Sequence, residues 1–306
     1  MQGYLKIIRP INLLLIMVAQ FLIKYFLFEA FDVALAINSV FNYSLLVFAT
    51  LFIAAGGNVI NDINDAAIDK INKPTQVIVG KIISEKAAYN YYMLLTVVGV
   101  GCGFIVSNLV EKPGLAVVFI LIAALLYWYA TFIKSMLLVG NLLISILVGF
   151  SILIVVLLDI FPVLNETDKP IQILLSKTLL GYAAIAFYIN LMREVVKDIQ
   201  DINGDKNGGR TTLPIVLGVA RTTTMVFAMG VFAFFLLVFF SYNQLYNHPF
   251  LLFYFIFLLG GPLLIFCIKS WNASKPKDYK ALSLLLKIIM FIGVGSIVFY
   301  AQIFKG

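Results

Sequence analysis

Long apolar stretches separated by mostly short polar connections set the pattern of this chain. Nine runs, near residues 12–31, 43–61, 88–109, 114–133, 139–158, 175–193, 221–241, 249–268 and 283–303, each approach the roughly 20 apolar residues that a helix needs to cross a bilayer. They predict an all-α membrane protein, a bundle of nine transmembrane helices. The first run follows Lys6 and Arg9, but it is long, lacks a small-residue cleavage site and precedes eight more spans. It reads as a retained helix, not a signal peptide.

Two connections break the rhythm. Residues 62–87 and 194–220 are long and polar, each directly follows an apolar helix, and each ends in a Gly/Pro-bearing stretch. The correspondence suggests two related halves around a shared site. No stretch resembles an interdomain linker, so residues 1–306 are expected to form one domain.

Composition excludes a soluble protein: 62% of the 306 residues are hydrophobic and 12% charged, with a mean hydropathy of +1.02. The net charge of +7 does not point to nucleic acid, because the basic residues gather in short loops. With the N-terminus in the cytoplasm, 17 of the 22 Lys and Arg residues fall on the cytoplasmic side, while Lys24, Lys112, Lys169, Lys177 and Lys305 remain on or near the other. This predicts a multi-pass protein of the cell's inner membrane, with both polar connections cytoplasmic. Cys102 and Cys267 lie inside apolar runs without metal-site spacing and read as core residues.

Seven of the 15 acidic residues form two clusters: Asp62, Asp65 and Asp69, then Glu194, Asp198, Asp201 and Asp205. The spacings i, i+3, i+7 and i, i+4, i+7, i+11 put each set on one helical face. Carboxylates a turn apart repel by about 1 kcal/mol at 4 Å in water, and by several times that at lower dielectric. A cation is expected between them. Oxygen ligands favour Mg²⁺, Mn²⁺ or Ca²⁺, and Mg²⁺ characteristically combines one or two carboxylates with phosphate oxygens. Asn58, Asn61, Asn64 and Asn72 add neutral ligands, and Lys73, Lys81, Arg193, Lys197 and Arg210 add fixed positive charge. Lys134 reads either as a phosphate partner or as a topology anchor. The set describes an anion site as well as a metal site.

Other readings compete. Mixed-charge loops are usually just solvated, but facial spacing in two loops disfavours that reading. A cation-coupled transporter would hold its acidic residues at the membrane midplane, on broken helices.

The run Asn61-Asp62-Ile63-Asn64-Asp65-Ala66-Ala67-Ile68-Asp69 matches the NDxxDxxxD signature of UbiA-type prenyltransferases, and Asp198-Ile199-Gln200-Asp201-Ile202-Asn203-Gly204-Asp205 resembles their second aspartate motif. Arg9-Pro10 with Asn12, Tyr129 and Lys134 with Gly140-Asn141, and Thr212-Leu213-Pro214 extend the likeness over essentially the whole chain. Within the superfamily, residues 193–205 are most similar to the geranylgeranylglyceryl phosphate geranylgeranyltransferases (digeranylgeranylglyceryl phosphate synthases). Gln200 departs from the acidic residue usual there.

The resemblance implies a nine-helix bundle with a central cavity. Asp62, Asp65, Asp198 and Asp201 would be catalytic, and all seven acidic residues would hold Mg²⁺. Asn58, Asn61, Lys73, Lys81, Lys134, Arg193, Lys197 and Arg210 would hold a prenyl diphosphate. The implied reaction transfers a prenyl group, such as geranylgeranyl, to a lipophilic acceptor: geranylgeranylglyceryl phosphate, giving an ether, or alternatively an aromatic or quinone precursor. Tyr127, Tyr129, Phe150, Phe187 and Tyr188 are candidate walls for a polyisoprenoid tail, although each is singly more often ordinary packing. His248, the only histidine, falls at the opposite end and leaves a carboxylate as the expected proton acceptor.

Overall fold

The computed structural model of the chain describes residues 2–300. Among them are nine helices long and apolar enough to cross a membrane: α1 (Pro10–Phe31), α2 (Val40–Asn72), α3 (Glu85–Leu109), α4 (Pro113–Thr131), α5 (Val139–Val163), α6 (Lys169–Asn207), α7 (Val219–Leu245), α8 (Pro249–Trp271) and α9 (Pro276–Tyr300). The protein is a multi-pass integral membrane protein. The end of the ninth apolar run and Lys305 lie outside the described residues.

Successive helices pack side by side, α2 against α3 and α4, α5 against α6, and α7 against α8, and the ring closes where α9 meets both α6 and α1. Lipid tails are as apolar as the helices, so close backbone approach replaces the hydrophobic effect as the driving force. Small residues make this possible. A Cβ at Gly99 of α3 would fall 2.9 Å from the Ile53 nitrogen of α2, and one at Gly149 of α5 would fall 2.8 Å from the Ala183 oxygen of α6.

Residues 62–72 and 194–207 are not loop. They continue α2 and α6 beyond the apolar runs as the last turns of two helices of 33 and 39 residues. The true connections are shorter, and α2 stops at Asn72, just before Lys73-Pro74, since the residue preceding proline avoids the helical region. At the same end, α3 opens on Ser84, whose hydroxyl accepts from the Ala87 amide at 3.3 Å. Short helices Gln2–Ile7 and Leu213–Leu217 sit there too.

At the opposite end, two opposite charges are buried together. The Lys24 ammonium donates to Asp159 Oδ2 at 2.8 Å, and Asp159 Oδ1 accepts from the Ile37 amide at 2.8 Å. Both residues stand in π-helical turns, Ile23–Phe28 and Val156–Ile160, which re-aim side chains that a regular helix would point elsewhere. The pair ties the α1–α2 connection to α5.

Candidate active site

The overrunning ends of α2 and α6 touch, and Asn72 joins them. Its amide nitrogen donates to the Asp201 carbonyl at 2.8 Å, and its oxygen accepts from the Gly204 amide at 2.7 Å. No side chain fits at Gly204, where Asn72 occupies the space a Cβ would take. The two acidic faces therefore look into one space between the helices.

That space is the mouth of a cavity of about 1650 Å³, its opening included. Polar groups collect at the mouth, while Ile53, Phe119, Ile122, Leu126, Phe150 and Ile154 line the depth.

Several elements at the polar end contribute a charge. Lys134, from the α4–α5 connection, and Arg210, from the α6–α7 connection, both pair with Asp65. Lys134 also donates to Asn61 Oδ1 at 2.9 Å, and Asn61 donates to Asp65 Oδ2 at 2.8 Å. Arg210 reaches Asp205 at 3.0 Å, and Lys73 reaches Asp201 Oδ2 at 2.7 Å. The Thr211 amide donates to the Ser135 carbonyl at 3.0 Å, which fixes the two connections carrying Arg210 and Lys134 against each other. Burial by itself would lower the Arg210 pKa, but Asp65 and Asp205 outweigh it and hold the guanidinium above its ordinary value, firmly charged.

Polar capacity is left over. Asp201 Oδ1 is buried without a hydrogen-bond partner. Asp198 receives one bond, from Asn141 Nδ2 at 2.7 Å. Asp69 lines the cavity beside them. These are hard oxygen donors around one space, with an orphaned buried oxygen among them, and they fit a divalent cation. Among the described residues, no three acidic side chains already converge as a closed metal site; the carboxylates here lean on lysines and arginines.

Residues 25–294 match the model of the UbiA prenyltransferase family. The chain belongs to that family. It is 29% identical to the digeranylgeranylglyceryl phosphate synthase of Methanosphaera stadtmanae, over 95% of this chain and 96% of that protein. Its fold is that of a UbiA homologue from Aeropyrum pernix K1 (TM-score 0.69, 14% identity, 95% of this chain and 97% of that one). It is also that of a UbiA homologue from Archaeoglobus fulgidus bound to GPP and Mg²⁺ (TM-score 0.56, 14% identity, 97% and 99%). As a UbiA-family member the chain is a prenyltransferase.

Within this UbiA fold, the cavity gathers most residues that the two motifs single out: Asn58, Asn61, Asp65, Asp69 and Lys73 from the first half, and Arg193, Glu194, Lys197, Asp198, Asp201, Asp205 and Arg210 from the second, with Lys134 between. Asp62 stands outside the lining and pairs with Arg9 at 2.6 Å. Lys81 is not brought in. It is exposed and reaches only the Pro74 carbonyl, at 3.4 Å, because the 73–84 connection turns it away from the cavity. Glu194 is held by Lys197 at 2.8 Å and lies 3.5 Å from Arg193.

Gln200 is the departure from the motif, yet it points at α9, where it donates to the Tyr279 carbonyl at 3.2 Å. Of the aromatic residues expected along a tail, Tyr129 and Phe150 line the cavity. Tyr127 faces outward beside Tyr92, and Tyr188 donates to the Met229 carbonyl on α7 at 3.0 Å.

Asn190 was hidden inside an apolar run. It lines the cavity and donates to Ser145, which in turn donates to the Asn141 carbonyl at 2.6 Å, behind the bond from Asn141 to Asp198. Its spacing, four residues before Glu194 and eight before Asp198, is the signal that marks it.

Proposed function

We propose that this chain transfers a geranylgeranyl group from its diphosphate to geranylgeranylglyceryl phosphate, forming an ether, in a single domain whose acidic mouth faces the cytoplasm. The observation that carries the reading is the meeting of two acidic helix ends, braced by cations, over one deep apolar cavity. The digeranylgeranylglyceryl phosphate synthase relatives support the acceptor, and the Archaeoglobus fulgidus homologue bound to GPP and Mg²⁺ supports the donor.

Lys73, Lys134 and Arg210 bind the donor's diphosphate, Lys134 and Arg210 being positioned by their shared partner Asp65. Asp69, Asp198 and Asp201, with Asp65 and Asp205, would hold Mg²⁺, which supplies charge neutralisation of the departing diphosphate when bound. Phe119, Tyr129 and Phe150 enclose the prenyl tail, exclude water and offer ring faces to the allylic carbon as it becomes cationic. The allylic C–O bond breaks, diphosphate leaves with the bonding pair, and the acceptor hydroxyl oxygen bonds to the carbon. Its proton passes to a motif carboxylate. Asp198 is suited to that step, since Asn141 fixes one of its oxygens and leaves the other free of protein partners.

Membranes carrying the protein, given labelled geranylgeranyl diphosphate, test this. The expected result is magnesium-dependent release of diphosphate that Asp198→Ala abolishes, with label appearing in a glyceryl phosphate ether. Label confined to an aromatic product refutes the acceptor. Unchanged diphosphate release alongside altered ion flux refutes the enzyme.

A further inference from the structure

The apolar part of the cavity has a measurable depth. Along α2 the lining runs from Asp65, which Lys134 and Arg210 share, down to Thr50, fifteen residues or about 22 Å at 1.5 Å per residue. Along α5 it runs from Asn141, the partner of Asp198, to Ile154, thirteen residues or about 20 Å. An extended hydrocarbon chain advances about 1.2 Å per backbone bond, as a peptide does, so an isoprene unit of four such bonds covers about 5 Å, four units about 19 Å and five about 24 Å. Four units fill the depth, and a fifth meets the floor.

That floor is a hydrogen-bonded layer rather than loose apolar packing. Thr50 of α2 and Ser151 of α5 line the bottom of the cavity. Gln20 of α1, fully buried, joins them: its amide nitrogen donates to Thr50 Oγ1 at 3.2 Å and to the Ser151 carbonyl at 2.9 Å. Tyr43 braces Gln20 in turn, its hydroxyl donating to the Gln20 carbonyl at 2.6 Å. Phe119 of α4 is held from behind, because a Cβ at Gly103 of α3 would fall 2.4 Å from its ring. Further toward the opposite end, Leu46 on α2 and Val155 and Leu158 on α5 are all 0% exposed. A tail pressing into this layer would strip hydrogen bonds from a buried amide and hydroxyl and offer nothing in exchange.

We propose that Gln20, Thr50 and Ser151, with Phe119 and Ile154 beside them, form a ruler that limits the donor's tail to four isoprene units. The inference deepens the proposed function and rests on its seating of the donor's diphosphate on Lys73, Lys134 and Arg210. Gln20 sets specificity without touching a reacting atom, by holding Thr50 and Ser151 across the end of the cavity. Ala54 also lines the cavity, one turn of α2 nearer the mouth than Thr50, and marks the level that the last isoprene unit passes.

Prenyl diphosphates of two to six isoprene units, competing with labelled geranylgeranyl diphosphate for the purified protein in nanodiscs with Mg²⁺ and no acceptor, test the ruler. In the wild type, affinity is expected to rise up to four units and to fall at least ten-fold at five. Ala54→Phe should move the optimum from four units to three. Gln20→Ala and, separately, Ile154→Ala should each bring five units to within three-fold of four, with the thermal midpoint checking that each variant is folded. If Gln20→Ala does not fold, Ile154→Ala decides. A wild type that binds five and six units as tightly as four overturns the ruler, because the tail then leaves sideways between helices. A fall at five units that persists in every folded variant of Gln20 and Ile154 overturns the assignment to this floor. A four-unit limit in a protein that prenylates only an aromatic acceptor upholds the ruler and refutes the acceptor reading.

Discussion

The protein holds charge inside the membrane at two places, and they are built on opposite terms. At the closed end, Lys24 and Asp159 are 6% and 0% exposed, and the carboxylate is further bonded by the Ile37 amide. One cation meets one anion, and nothing is left over. At the open end, Lys134 is 24% exposed, Asp201 keeps an orphaned oxygen, and Arg193 keeps an orphaned N–H. A balanced, sealed pair holds helices together. An unbalanced, accessible network waits for a ligand.

The difference can be broken from either side. Lys24→Met leaves Asp159 as an unpaired buried charge and should destabilise the fold by about 3–5 kcal/mol, read as a fall in the thermal midpoint of the detergent-solubilised protein. Lys24→Met combined with Asp159→Leu should restore most of that loss, because an apolar pair carries no desolvation cost. A double variant as unstable as the single one would mean that the pair does more than hold α1 to α5.

Asp65→Asn should act the other way round. Prenyl transfer falls by about 10²–10³-fold as Lys134 and Arg210 lose their common partner, while the thermal midpoint moves less than in Lys24→Met because water reaches the mouth. Asn72→Ala removes two hydrogen bonds between α2 and α6, costing about 1–3 kcal/mol in stability, with a smaller, several-fold loss of turnover as the acidic faces drift apart. Lys81→Ala should change neither turnover beyond about two-fold nor stability beyond about 0.5 kcal/mol. A large effect there would return Lys81 to the site.

Much of this was legible in the sequence, for physical reasons that vary by residue. The nine spans follow from lipid, which forces apolar stretches of fixed length. The shared faces of Asp62, Asp65, Asp69 and of Glu194, Asp198, Asp201, Asp205 follow from helical period. What spacing does not carry is partnership across helices. Asp62 and Asp65 share a face, yet one is claimed by Arg9 and the other by Lys134 and Arg210, from connections about 70 and 145 residues away. Lys24 enters the sequence reading only as a basic residue off the cytoplasmic side, and packing alone shows it sealed against Asp159. Lys81 misled because sequence proximity to Lys73 says nothing of which way the intervening turn faces.

The most direct test of the account is the product formed when the purified protein, in nanodiscs with Mg²⁺, is given geranylgeranyl diphosphate and geranylgeranylglyceryl phosphate together. The account predicts a digeranylgeranylglyceryl phosphate ether and an equal amount of diphosphate, both lost on chelation of the metal and regained when it is restored. Diphosphate release without the ether, or an ether formed equally well by Asp198→Ala, would contradict it.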